Sequence, residues 1–165
     1  MSRQPVIDGF EFASAGASQQ GVLPLSAFPR LGDALASSAG EVAYSVKGMR
    51  DERGRAGLRV KVQGTLPLRC QRCLEPIAFG VDSDSTLVLA ATQAEIDAEP
   101  ADPSAPDRVL AGKEMALRDL VEDELILAMP YAPRHDNCAG RASVVDADAR
   151  LSPFSSLRGL MRSRH

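Results

Sequence analysis

The side chains with the most chemistry to offer come in two pairs. Cys70 and Cys73 bracket Gln71 and Arg72, and His135 and Cys138 stand at the same spacing. Zinc takes four soft or borderline ligands in a tetrahedron, and two such pairs are a common way of supplying them. A second reading is a redox dithiol, which needs a stabilised thiolate. In enzymes of that kind a helix N-terminus usually lowers the thiol pKa. Here Cys73 runs into Leu74, Glu75, Pro76 and a strand-like stretch, so only Arg69 and Arg72 would favour a thiolate. The third reading is that the thiols are structural, packed at a tight turn, and that His135 is a loop residue. Spacing alone leaves all three open. Three cysteines are an odd number, which speaks against a disulfide scaffold, and a reducing cytoplasm is the expected compartment. The sequence has no phosphate-cradling glycine motif and no GxSxG. The expectation is a protein that is not an enzyme, has no catalytic residues and takes no small-molecule substrate.

The elements that must position these pairs can be read from hydropathy. Residues 58–81 (LRVKVQGTLPLRCQRCLEPIAFGV) read as two strands joined by a turn that carries Cys70 and Cys73. Leu58, Val60 and Val62 alternate with Arg59, Lys61 and Gln63, and Ile77, Phe79 and Val81 resume the beat. Residues 41–47 alternate too, with Val42, Tyr44 and Val46 on one face. The glycine- and charge-rich stretch 48–57 reads as the hairpin loop between them. Residues 86–91 are a further strand candidate, with 82–85 as a bulge or turn before it, and 108–111 suit a short fifth strand. Residues 1–24 read as loosely structured. In 25–36 the spacing of Leu25, Phe28, Leu31 and Leu35 predicts a short or interrupted helix capped by Ser26, with Pro29 in its first turn. Residues 95–107, acidic and carrying three prolines, read as an exposed loop. The clearest helix is 117–129, with Leu117, Leu120, Val121, Leu125 and Ala128 in one stripe and Pro130 as its stop. Glu122, Asp123 and Glu124 are expected on its solvated side. Ser152, Pro153 and the stripe Phe154, Leu157, Leu160, Met161 predict a short C-terminal amphipathic helix.

Charge is uneven along a chain of 165 residues with formal net charge −3. Between positions 47 and 72 there are eight basic residues and two acidic ones, a local balance of 8 − 2 = +6. Arg53, Arg55, Arg59, Lys61, Arg69 and Arg72 are therefore candidate contacts to nucleic-acid phosphates or to a partner. The plainer reading is that lysine and arginine solubilise strand surfaces and guard edges. No apolar run approaches the ~20 residues needed to span a membrane.

Three segments taken together resemble one family. VQGTLPLRCQRCLEPI resembles the strand and Cys-x-Arg-Cys-Leu signature of the bacterial YceD family. LVEDELILAMPYAPRHDNC resembles its acidic-apolar helix with the following proline step, histidine and cysteine. SPFSSLRGL is similar to its terminal helix. The resemblance runs from about residue 41 to the C-terminus. It implies a cytoplasmic ribosome-biogenesis factor needed for accumulation of 23S rRNA and for large-subunit assembly. The implied partners are 23S rRNA or a large-subunit precursor, with a ribosomal protein as a further candidate. The chain departs from the family in two places: Ala116 stands where relatives place an aspartate helix cap, and Cys138 is the one cysteine kept in a region where some relatives have more.

The expected architecture is α+β: an antiparallel β-meander sheet covered by one main helix, with a short C-terminal helix. Residues 1–40 are expected to pack on or flank the core, 41–140 to form it, and 141–165 to be a flexible segment ending in the amphipathic helix. Zinc at Cys70, Cys73, His135 and Cys138 is the one expected cofactor. The alternatives to direct RNA binding are a protein-interaction module acting on rRNA indirectly and a CxxC dithiol redox protein.

Overall fold

Alternating apolar residues set the inner face of one large sheet, and two helices cover it. The structure is a computed structural model that describes residues 5–98, 102 and 105–138. The expected C-terminal helix and the segment 141–165 lie outside the described residues. The order of elements is β1 (Val6–Ile7), α1 (Gly9–Ser14), β2 (Ser18–Pro24), β3 (Glu41–Arg50), β4 (Ala56–Arg69), β5 (Pro76–Ala90), α2 (Gln93–Asp97), β6 (Asp107–Leu110), β7 (Met115–Ala116) and α3 (Leu117–Ala128). The main sheet runs β2-β3-β4-β5-β6, and β1 pairs with β7 in a small second ladder. This is a mixed α+β fold with a mostly antiparallel sheet.

Register follows the side-chain beat. Tyr44 stands opposite Val62, Val46 opposite Val60, and Leu66 opposite Phe79. Val42, Val46, Leu58, Val60, Val62, Leu66 and Leu68 are buried almost completely. At the ~25 cal/mol per Å² of apolar burial, each contributes about 2 kcal/mol. Helix α1 lies over β3 and β4, and α3 lies over β4 and β5. Gly48 permits the close approach of α1: a Cβ there would sit 2.8 Å from the Ala13 Cα. The opposite face carries charge. Arg59 Nε and Nη2 donate to Asp84 at 2.7 Å each, and Lys61 Nζ lies 2.9 Å from the same carboxylate. Arg59 first, and then Lys61, hold the Asp84 carboxyl well below the usual carboxylate range.

Several expectations need correction. Residues 5–24 are ordered elements and not a loose leader. Asp8 caps α1 by accepting from the Glu11 amide at 3.0 Å, and β2 pairs with β3 along its whole length. The segment SQQGVLP lacks strand-like composition because an edge strand needs only its backbone and one half-buried side. Residues 25–36 form two 3-10 turns, Leu25–Ala27 and Pro29–Leu31, and not one helix. Pro29 forces Phe28 out of the helical region, to φ −106° and ψ 91°, so Ser26 has no helix to cap. No bulge interrupts 82–85: β5 is continuous through Ala90. Strand β6 joins β5 in parallel, because the connection through α2 is long enough to return the chain to the same end of the sheet. That connection also turns 95–97 into helix, capped by Thr92.

The acids of α3 divide. Asp123 is exposed, but Glu122 and Glu124 are buried. Burying carboxylates is tolerated only with partners. Glu122 Oε1 accepts from the Arg30 amide at 2.6 Å and its Oε2 from Arg30 Nε at 2.9 Å, while Glu124 accepts from the Ser83 hydroxyl at 2.9 Å. Arg30 further donates to Asp123 at 2.6 Å and to the Asp119 carbonyl at 3.2 Å. At the start of α3, Ala116 offers no side-chain cap, and the Leu117 amide donates instead to the Pro5 carbonyl at 3.1 Å.

Candidate metal centre

The β4–β5 hairpin ends in a turn that opens with Cys70. Its amide donates to the Glu75 carbonyl at 3.0 Å, and the Leu74 amide donates to the Cys70 carbonyl at 2.9 Å. Leu74 adopts φ 68°, a left-handed conformation that costs a side-chain-bearing residue about 1 kcal/mol. The segment after α3 is drawn against this turn. Pro130 stops the helix, with Met129 already extended at φ −70° and ψ 138°. The chain then turns back, and the Pro133 carbonyl accepts from the Gln71 amide at 2.8 Å. From the N-terminal side, residues 34–36 buttress the end of β4: the Ala36 amide donates to Pro67 O at 2.7 Å, and the Arg69 amide donates to Ala34 O at 3.0 Å.

These contacts bring together all four of the ligand candidates. The ligand atoms of Cys70, Cys73, His135 and Cys138 lie within 4.8 Å of one another. Cys70 Sγ is 3.8 Å from Cys138 Sγ, and Cys73 Sγ is 3.5 Å from His135 Nδ1. A tetrahedron with zinc–sulfur bonds of ~2.3 Å and zinc–nitrogen bonds of ~2.05 Å has edges of about 3.8 Å between sulfurs and about 3.6 Å between sulfur and nitrogen. The residues present fit zinc in type, number and spacing. His135 Nε2 donates to the Pro76 carbonyl at 3.0 Å, which fixes the tautomer that leaves Nδ1 as an acceptor toward the three sulfurs.

Electrostatics agree with that arrangement. The backbone amide of Cys73, with those of Arg72 and His135, pulls the Cys70 thiol down to about 5 against the cost of burial. At neutral pH it is therefore a thiolate, the form a metal binds. The Glu75 amide pulls the Cys73 thiol down as well, but burial and the neighbouring Cys138 and Cys70 outweigh it and push that thiol up. The Pro76 carbonyl, with the Cys138 and Cys70 side chains, raises the pKa of His135. The Cys70 thiolate and the raised Cys73 thiol share a small space, a crowding that a divalent cation would relieve.

The basic candidates do not form one patch. Arg53 and Arg55 sit in and just after the β3–β4 turn. Arg55 Nε is paired with Asp51 at 2.7 Å. Arg59 and Lys61 lie mid-strand on the outer face, bound to Asp84. Arg69 and Arg72 are at the cysteine end. Strand β4 spans 14 residues, so the two groups of ends are about 45 Å apart. Sequence reading also passed over Arg134. Arg72 and Arg134 line one cavity of about 540 Å³ with Ile77, Phe79, Pro130 and His135. Its position next to His135 in the sequence was the available signal.

A mixed α+β domain whose sheet turn and post-helix loop converge on four zinc-type ligands is the class that fold and site define. A sequence model of the family described as "Large ribosomal RNA subunit accumulation protein YceD" matches residues 58–160, more than half of the 165-residue chain. The chain belongs to the YceD family, and that family carries a role in large-subunit ribosomal RNA accumulation. No solved structure matches the chain. Among the described residues, no helix is long and apolar enough to cross a membrane.

Proposed function

We propose that this protein is a non-enzymatic, cytoplasmic ribosome-biogenesis factor that binds 23S rRNA or its large-subunit precursor and holds its binding surface rigid with one zinc ion. Bound zinc would cross-link the β4–β5 turn to the loop after α3, and it would serve as a staple with no open position for chemistry. The observation that carries this reading is the meeting of four ligands from two distant segments at the end of the sheet where Arg69 and Arg72 project. Those two side chains have no acidic partner among the described residues. The convergence favours a metal over a free dithiol, because His135 and Cys138 stand within ligand distance of both sulfurs of the CxxC pair.

Two measurements test the reading. Untagged protein should carry about one zinc per chain, and Cys138→Ser should lose it; a metal-free wild type would overturn the staple. Binding of the zinc-loaded protein to 23S rRNA fragments should weaken steeply as salt rises, since each neutralised phosphate releases counterions. No binding, or binding indifferent to salt, would overturn direct RNA contact. A second reading, docking to a ribosomal protein, is favoured by Leu127 and Tyr131, which are 72% and 104% exposed near the end of α3. It predicts a partner complex that survives nuclease treatment.

A further inference from the structure

We propose that the cavity beside the metal centre is a binding site for one unpaired nucleotide of single-stranded RNA. Arg72 and Arg134 would hold its phosphate, and Phe79 with Ile77 would take its base. This deepens the RNA-binding reading above and rests on it.

The cavity of about 540 Å³ falls within the range of small-ligand sites, about 300–1,000 Å³. Its walls divide by chemistry. Arg72 comes from the cysteine turn and Arg134 from the loop after α3, and both are exposed. Four other described arginines are committed to carboxylates: Arg30 to Glu122 and Asp123, Arg55 to Asp51, Arg59 to Asp84, and Arg118 to Asp119. Arg72 and Arg134 have no carboxylate partner among the described residues. Two guanidinium forks facing one space match a phosphate group in geometry and charge. The half-buried Phe79 and Ile77 share the walls with them, as do Pro130 and Pro133. Unstacked bases settle against aromatic faces and guanidinium planes, so a flipped nucleotide finds both of its halves served. Asp136, the one acid on the walls, supplies an acceptor for base N–H groups.

The metal cluster makes this site rather than merely adjoining it. His135 is a wall residue and a ligand at once. Arg72 lies between two ligand cysteines, and Arg134 is bonded in sequence to His135. Removing the staple would release the two arginines from each other.

The test uses zinc-loaded, full-length protein and a fluorescein-labelled decauridylate, read by anisotropy across a salt series. Arg72→Gln with Arg134→Gln should weaken binding by about tenfold or more and reduce the log–log salt slope by about 0.7, the share of one phosphate on a single strand. Zinc content should stay unchanged. Arg134→Gln alone carries the test if Arg72→Gln disturbs the turn. Arg118→Gln, the same charge change at the far end of α3, should bind as wild type does. Stripping zinc should weaken binding at least as much as the double substitution. If the double variant binds decauridylate and 23S fragments like wild type, the cavity is not the site, although RNA binding stands. If wild type binds neither RNA, the parent reading falls and this one with it. Arginine-dependent capture of hexaglutamate without decauridylate binding would overturn the site in favour of an acidic protein partner.

Discussion

The two turns at the ends of β4 solve the same problem in opposite ways. Between β3 and β4 the chain closes on itself. The Asp51 amide donates to Arg55 O at 2.9 Å, the Gly54 amide to Asp51 O at 2.9 Å, and the Asp51 carboxylate accepts from the amides of Arg53 and Arg55 at 3.0 and 2.7 Å. Gly54 supplies the one left-handed position, at φ 76°. Between β4 and β5 the left-handed position falls to a leucine. Closure there draws on residues more than sixty positions away, through Cys70 with Cys138 and Cys73 with His135. A turn made to close a hairpin completes itself locally. The cysteine turn closes its own backbone too, but it tolerates a strained residue and gathers distant side chains, and so ties those segments to the hairpin.

That contrast can be broken experimentally. The largest effect should come from chelating the proposed zinc. Losing a ligand present at about a thousandfold over its Kd removes about 4 kcal/mol, or about 10 °C in Tm for a chain of this size. Hydrogen exchange should then rise in 70–76 and 133–138 while 50–56 keep their protection. Equal loosening at both turns would erase the distinction. Next in size is Glu122→Ala, which strips the buried partner from the Arg30 amide and guanidinium and should cost about 2 kcal/mol by thermal or urea unfolding. Because Arg30 belongs to the segment that buttresses the end of β4, the cysteine turn should again be the one that loosens.

The two left-handed positions sharpen the contrast at a smaller scale. Gly54→Ala should destabilise by about 1 kcal/mol, whereas Leu74→Gly should be neutral or stabilising by up to about 1 kcal/mol, zinc content being unchanged in both. Unfolding in urea measures each. Smallest is an acid effect confined to the β3–β4 turn. Burial pushes the Asp51 carboxyl up, but the Arg55 guanidinium and the amides of Arg55 and Arg53 outweigh it and hold it below its ordinary value. A depressed carboxyl contributes stability above its unfolded pKa near ~4 and loses that contribution as pH falls below it. Stability measured between about pH 4 and pH 2 should therefore fall less in Asp51→Asn than in wild type.

Local signals were legible in the sequence, and long-range partners were not. Val42, Tyr44 and Val46, then Leu58, Val60 and Val62, announced their strands because each strand has one face buried and the other open to solvent, where alternation is strict. Strand β5 was harder to see because Ser83 and Ser85 occupy inward positions, and Ser83 does so to meet Glu124 from another element. Glu122 read as a solvated acid because its partner, Arg30, is 92 positions away. The four candidate metal ligands could be named from type and spacing, but their convergence depends on the loop after α3 packing against the β4–β5 turn, which no spacing encodes. The basic stripe misled in one respect. Arg59 and Lys61 look available in sequence, yet Asp84 across the strand already neutralises part of their charge.

The separation of the ligand pairs also has a consequence in time. From Cys73 to His135 is 62 positions. At a synthesis rate of about 5–20 residues per second, the CxxC pair is synthesised roughly 3–12 s before its second half. During that interval the nascent chain carries a reduced thiol pair that can gather a zinc ion early or be oxidised by the surroundings. With zinc bound as proposed, the order in which metal arrives and chain is completed would become part of making this protein.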